Sequence, residues 1–169
     1  NFINTYYEAI TLEADRNLLN DRFFPTKGLL FQIQTSLGVS NKTFYIDNFM
    51  LVYNFRPITK KLYSSIKFSA KGINTLKSKV PKSQYKYFGG SKNLRGYGED
   101  QFHKIQYGLI SNDLGYIINS NLHTFIFIDF ASDIIVPIRS IYSSYGIGLR
   151  LSNQNTLFNV NYGIPSNSD

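Results

Sequence analysis

Apolar and polar residues alternate along most of this chain with a period of two. In Gly28–Ser40, Leu29, Phe31, Ile33, Leu37 and Val39 fall on one face, and Leu30, Gln32, Gln34, Ser36 and Gly38 on the other. Leu62, Ile66, Phe68 and Ala70 oppose Tyr63, Ser65, Lys67, Ser69 and Lys71; Ile141, Tyr145, Ile147, Leu149 and Leu151 oppose Tyr142, Ser144, Gly146, Gly148 and Arg150. This is the pattern of strands with one apolar and one polar face. It predicts about eight strands near 3–16, 28–39, 43–56, 61–73, 103–117, 123–131, 140–152 and 156–164. Their length, roughly ten residues, is what a tilted strand needs to cross a bilayer. The third strand is apolar on both faces, which leaves its orientation open, and the fifth is irregular enough to hold a bulge. Helical periodicity is absent.

Alternation alone does not say which face is outside. The polar faces are rich in Ser, Asn, Gln and Gly, and charged residues make up only 17% of the chain, against roughly 25% in ordinary soluble domains. Aromatics sit near strand ends, at Tyr6, Tyr7, Tyr53, Phe55, Tyr142 and Tyr162, where interfacial girdles belong. Both features favour an inverted barrel, with apolar side chains toward lipid. In Phe125–Ser132, Asp129 interrupts an otherwise apolar run; a lipid-facing carboxylate is costly, so Asp129, Phe125 and Phe127 should point inward and Ile126, Ile128 and Phe130 outward. Glu13 and Asp15 lie opposite Ile10, Leu12 and Ala14 and should line the lumen.

The net charge of +7 comes with lysines crowded between Lys60 and Lys92, a local basic surface without the aromatic stacking motif or basic helix of a nucleic-acid binder. Lys77, Lys79, Lys82, Lys86 and Lys92 read as solvating a loop or meeting anionic headgroups. The absence of cysteine excludes disulfides and zinc-thiolate sites. His103 and His123 read as ordinary strand-end residues, Glu99 and Asp100 as solvated loop acids, and no nucleophile–histidine–acid set is visible. No cofactor, metal or enzymatic activity is expected.

The long connection from about 74 to 102 breaks the pattern, and such lengths are usually functional. It contains FGGSKNLRGY, in which Phe88, Gly89 and Gly90 lead into Leu94, Arg95, Gly96 and Tyr97. This resembles the signature loop of the bacterial surface-antigen family, the outer-membrane barrels of BamA, TamA and two-partner-secretion type with organellar relatives. DRFFPTKG, YNFRPI, FIFIDFAS and SYGIGLRLSNQNTLFNVNYGIP follow in the family's order.

The resemblance implies an all-β fold, an antiparallel transmembrane β-barrel. Residues 1–169 would be the C-terminal part of a sixteen-stranded barrel domain, about eight strands of it, with the POTRA domains, the first strands and the last strand absent. It implies that the long loop enters the lumen from outside and that turns near 17–27, 56–61, 117–122 and 152–156 face the periplasm, with 40–42 and 131–139 outward. Arg95 would then need an anionic partner, and Asp113, Asp129 or both are placed to supply it; otherwise Arg95 is a solvated loop residue. The function implied is assembly and insertion of outer-membrane β-barrel clients, with outer-membrane lipids and accessory lipoproteins or other complex subunits as partners and no nucleic acid. The alternatives are a related secretion porin that exports a partner protein through its lumen and, more distantly, a soluble lipocalin-like ligand-binding barrel.

Overall fold

A computed structural model describes residues 7–40, 43–76, 79–134, 140–153 and 156–166. In chain order the strands are β1 (Tyr7–Asn17), β2 (Gly28–Ser40), β3 (Thr43–Pro57), β4 (Leu62–Thr75), β5 (Lys86–Phe88), β6 (Phe102–Lys104), β7 (Gln106–Asn119), β8 (Leu122–Asp133), β9 (Ile141–Asn153) and β10 (Thr156–Pro165). Eight of them form one antiparallel sheet in the order β1-β2-β3-β4-β7-β8-β9-β10, while β5 and β6 pair separately. The sheet is an uninterrupted meander, curved as part of a barrel wall and not closed on itself.

Two differences from the sequence expectation concern the long connection. Residues 103 and 104 do not open the fifth long strand; they pair with Lys86 and Tyr87 in the small β5–β6 ribbon, and the wall strand starts at Gln106. The connection also holds a single 3-10 turn at Lys82–Gln84. The irregularity expected in the fifth strand is a register shift between Ile117 and Asn119, beside its turn. Residues 3–6 of the first expected strand, and parts of the turns at 40–42, 131–139 and 152–156, lie outside the described residues.

The orientation is inverted relative to a soluble barrel. On β8, Ile126, Ile128 and Phe130 are 56%, 43% and 42% exposed, while Asp129 between them is fully buried. Ile147 and Leu149 on β9 are likewise exposed, with Ser144 on the opposite face buried. Cross-strand pairing carries this polarity across the sheet: Leu109, Ser111 and Asp113 of β7 stand opposite Ser69, Lys67 and Ser65 of β4 on the concave side. Glu13 and Asp15 pair with Gln34 and Gln32 on that same side.

Register also resolves β3. Tyr45, Phe49 and Tyr53 align with Thr75, Lys71 and Lys67, so they face inward, and Ile46, Met50 and Val52 face outward. The girdle expectation is therefore corrected at three positions. Tyr53 and Phe55 line the lumen, and Tyr142 packs against the inserted loop. Their strand-end location is right for a girdle, but their pleat phase is that of Lys67, Tyr63 and Ser144. Tyr162 does face outward and is highly exposed; Tyr6 and the side chain of Tyr7 lie outside the described residues.

Because Ile147 lies mid-strand on the outward face, Ile147→Arg should destabilise the barrel in phospholipid vesicles by about 2–4 kcal/mol. Denaturant titration of the full-length protein measures this; an unchanged midpoint would mean that this face does not meet hydrocarbon.

Candidate functional site in the lumen

The long connection leaves β4, runs through β5, turns and returns through β6. Gly89 and Gly90 both adopt positive φ, 120° and 89°, a region that costs other residues energy. They start a compact turn in which the Gly90 N–H donates to the Leu94 carbonyl at 3.0 Å. The Glu99 carboxylate accepts from both the N–H and the hydroxyl of Ser91, each at 2.8 Å. Phe88 and Leu94, both fully buried, pack with Tyr107, Leu109 and Ala131 of the wall. Phe102 packs tilted against Tyr142 with ring centroids 4.1 Å apart, and the Tyr97 hydroxyl donates to the Ser143 carbonyl at 3.0 Å. Burying side chains of this size contributes about 1.5–3 kcal/mol each, so apolar packing seats the tip before any charge is counted.

Seating the tip aims Arg95 at β8. Its Nε donates to Asp129 Oδ2 at 2.8 Å and its Nη2 to Asp129 Oδ1 at 2.6 Å, a bidentate fork. The Arg95 backbone N–H adds a third donor to Oδ2 at 3.0 Å. Nη2 also reaches Asp113 Oδ1 on β7 at 2.7 Å. Of the two partners suggested by the motif, the structure thus brings both to Arg95. Phe88, Leu94 and Tyr97 supply packing, and Gly89, Gly90 and Gly96 supply shape. Gly96 lies against Gly163 of β10, where a Cβ on Gly163 would come within 2.7 Å of the Gly96 nitrogen.

Arg150 was visible in the sequence as a polar-face residue of β9 but was not assigned to the site. Its Nη2 donates to Asp113 Oδ2 at 2.5 Å and its Nη1 to the Tyr63 hydroxyl at 3.2 Å. The guanidinium carbons of Arg95 and Arg150 lie 3.6 Å over the Phe127 ring and 4.2 Å over the Phe125 ring. Those rings lie flat because Gly146 and Gly148 on the neighbouring strand have no Cβ. One added at either position would come within 2.6 Å of Phe127 or 2.2 Å of Phe125. The signal for Arg150 was present as an arginine alternating with two glycines across from a Phe-x-Phe strand, but reading it required the register.

His123 is corrected from an ordinary strand-end residue to a buried one. Its ring stacks on Phe24 of the β1–β2 turn at 4.3 Å, and its Nδ1 lies 3.3 Å from the Tyr63 hydroxyl. The turn therefore folds under the wall and extends the network. His103 stays exposed between Tyr85 and Tyr87. The lysines are not uniformly solvated: Lys86 pairs with Asp47 and Lys104 with Asp133, tying the base of the loop to the rim. Lys77 lies outside the described residues. Among the described residues no group of three His, Asp or Glu side chains is placed to hold a metal ion.

A lumenal arginine tip held on two carboxylates of adjacent wall strands is a structural clamp, and comparison with known proteins agrees in fold. The Omp85 superfamily domain model matches residues 7–169. The chain belongs to the Omp85 superfamily. Among solved structures, BamA from Haemophilus ducreyi lacking POTRA domains 1-3 superposes with a TM-score of 0.78 at 18% identity. The match covers 95% of this chain and 39% of that one, a likeness of fold. No curated protein shows significant similarity to the chain. The Omp85 chain is thus an outer-membrane β-barrel domain segment whose wall carries the arginine loop.

Removing the fork should be costly, because it strands buried carboxylates. Arg95→Ala is expected to destabilise the full-length barrel by about 3–5 kcal/mol, and Arg95→Lys by roughly 1–3 kcal/mol, since a point charge cannot reproduce the bidentate pair. Denaturant midpoints compared with wild type check both, and equal midpoints would mean that the clamp contributes nothing.

The two Ser91 hydrogen bonds, backbone first, hold the Glu99 carboxyl below its ordinary range. A depressed carboxyl stabilises above its unfolded pKa and loses that contribution as pH falls through the lowered folded value. Loop protection from protease should therefore be full at neutral pH and decline only below the usual carboxylate range. Glu99→Gln should flatten the profile there.

Proposed function

We propose that this chain is the C-terminal barrel segment of a bacterial assembly factor that inserts β-barrel clients into the outer membrane. The observation that carries the reading is the clamp: Arg95, Asp129, Asp113 and Arg150 join the loop to β7, β8 and β9. A barrel that opens to an incoming strand needs a wall that does not give way elsewhere. Membrane strands must pair all their backbone groups, so an insertion factor works by lending strand edges to its client, a form of β-augmentation. The loop braces the wall through β7, β8 and β9. Nothing in this scheme requires covalent chemistry. Unfolded outer-membrane barrels are the substrates, outer-membrane lipids the medium, and accessory lipoproteins or other subunits the partners.

The rival within the superfamily is a porin that exports a partner protein through its lumen. That porin type shares the loop motif, so the seated tip, packed around Phe88 and Leu94, is common to both readings, and reconstitution separates them.

The test is reconstitution of the full-length protein in vesicles with an unfolded barrel client. Wild type should accelerate appearance of protease-resistant, heat-modifiable client, and Arg95→Ala should slow it several-fold even in vesicles where the variant itself is folded. Passage of a soluble protein into the vesicle with no gain in folded client would overturn the reading and favour export.

A further inference from the structure

Beside the clamp, between the loop and the strands β3, β4, β7, β9 and β10, lies a cavity of about 360 Å³. Four cations border it: Lys67, Lys92, Arg95 and Arg150. Both oxygens of Asp113, the carboxylate in its lining, are already engaged, Oδ1 by Arg95 and Oδ2 by Arg150. Asp129 is likewise consumed by Arg95 through both of its oxygens. Counted with both carboxylates, the cluster keeps an excess of two positive charges.

Lys67 concentrates that excess. It sits on the inward face of β4, half-buried, and its Nζ donates to the Lys92 carbonyl at 3.0 Å. Among the described residues no carboxylate lies within ion-pair distance of Lys67. An ammonium has three donors, so two remain for a ligand. Asn93 of the loop, Asn159 of β10 and Ser111 of β7 add neutral polar groups around the same space. Cations held together with water partly excluded attract a counter-ion more strongly than the same charges in bulk solvent. The neutral amides and hydroxyls discriminate against a purely diffuse ion cloud, because they reward an acceptor-rich anion of fixed shape.

We propose that this cavity is a binding site for a phosphate-type oxyanion, with Lys67 as its principal cation and Arg150 and Asn159 as flanking donors. The ligand bridges the loop, through Lys92 and Asn93, to the wall, through Lys67 and Arg150, and so adds to loop seating. The cavity volume admits one or two phosphoryl groups. A free phosphate or diphosphate and the phosphodiester head of a lipid share this chemistry. The proposal does not depend on whether the protein inserts or exports its clients.

Calorimetric titration of the folded full-length protein, in phosphate-free buffer at low ionic strength, tests it with inorganic pyrophosphate as one probe and phosphatidylglycerol bicelles as the other. Zwitterionic bicelles serve as the control. Saturable binding of pyrophosphate, weakened at least tenfold by Lys67→Gln and by added salt, identifies a free phosphate ligand. Saturable binding of phosphatidylglycerol alone, with the same sensitivity to Lys67→Gln, identifies a headgroup. Should Lys67→Gln fail to fold, Asn159→Asp places a carboxylate in the same space and should abolish binding equally. Absence of saturable binding for both probes, or affinity unchanged in the folded Lys67→Gln and Asn159→Asp proteins, would overturn the proposal.

Discussion

The inserted loop is governed by the cost of a buried carboxylate. Asp129 has no access to solvent and sits in a strand whose other face meets hydrocarbon. Left unpaired it would be protonated or would distort the wall. Three donors from a single residue, two from the Arg95 guanidinium and one from its backbone, satisfy it. Few loop conformations deliver all three together, so the requirement of Asp129 selects the path of the chain from Gly89 to Gly96. The net worth of the pair is smaller than the cost of breaking it, which is why such a clamp specifies a conformation more than it adds stability.

A second constraint is room. Two charged guanidinium planes lie over aromatic faces in one wall, and this works because glycines on the next strand let the rings lie down. Gly146 and Gly148 of β9 receive Phe127 and Phe125 of β8, and the guanidinium groups of Arg95 and Arg150 lie over those buried rings. The same device recurs where Tyr63 covers Gly115 and Tyr45 covers Gly38. Glycine weakens a strand by entropy and lost packing; the covering ring restores the packing and prepares a flat platform for a cation.

These two constraints give the loop several points of attachment with different chemistry. At its base, Lys86 and Lys104 meet Asp47 and Asp133 near the rim, where water screens the pairs and their contribution is small. In the middle, the Phe88 and Leu94 cluster excludes water. At the tip, Arg95 is shielded enough for geometry to matter. A segment fixed in this graded way is held most firmly at its tip, where the charge pair is buried, and less firmly at its base.

The residues themselves favoured the inverted orientation, through uncharged polar faces and strand-end aromatics, and the resemblance of the arginine loop decided it. A period of two is local and marks two faces without saying which is outside; in a membrane barrel, Asp129 inside an apolar run then marks the face that is not lipid, because a carboxylate in hydrocarbon is costly. The resemblance around Arg95 likewise supplied the loop motif and the two acidic partners, through a family pattern rather than through spacing, whereas the packing of Phe88, Leu94 and Tyr97 came only with the structure. The roles of Arg150, Tyr63, His123 and Phe24 could not be read so, because each depends on which residue lies across the sheet. Phe24 meets His123, and Arg150 meets Asp113, only after strands and a turn distant in sequence have set their registers. Tyr53, Phe55 and Tyr142 show the same limit: an aromatic near a strand end fits a girdle or a lumen equally well, and on a strand apolar on both faces only pairing with Lys67 and Ser65 decides. One strand's alternation fixes relative faces; contacts between strands assign the partners.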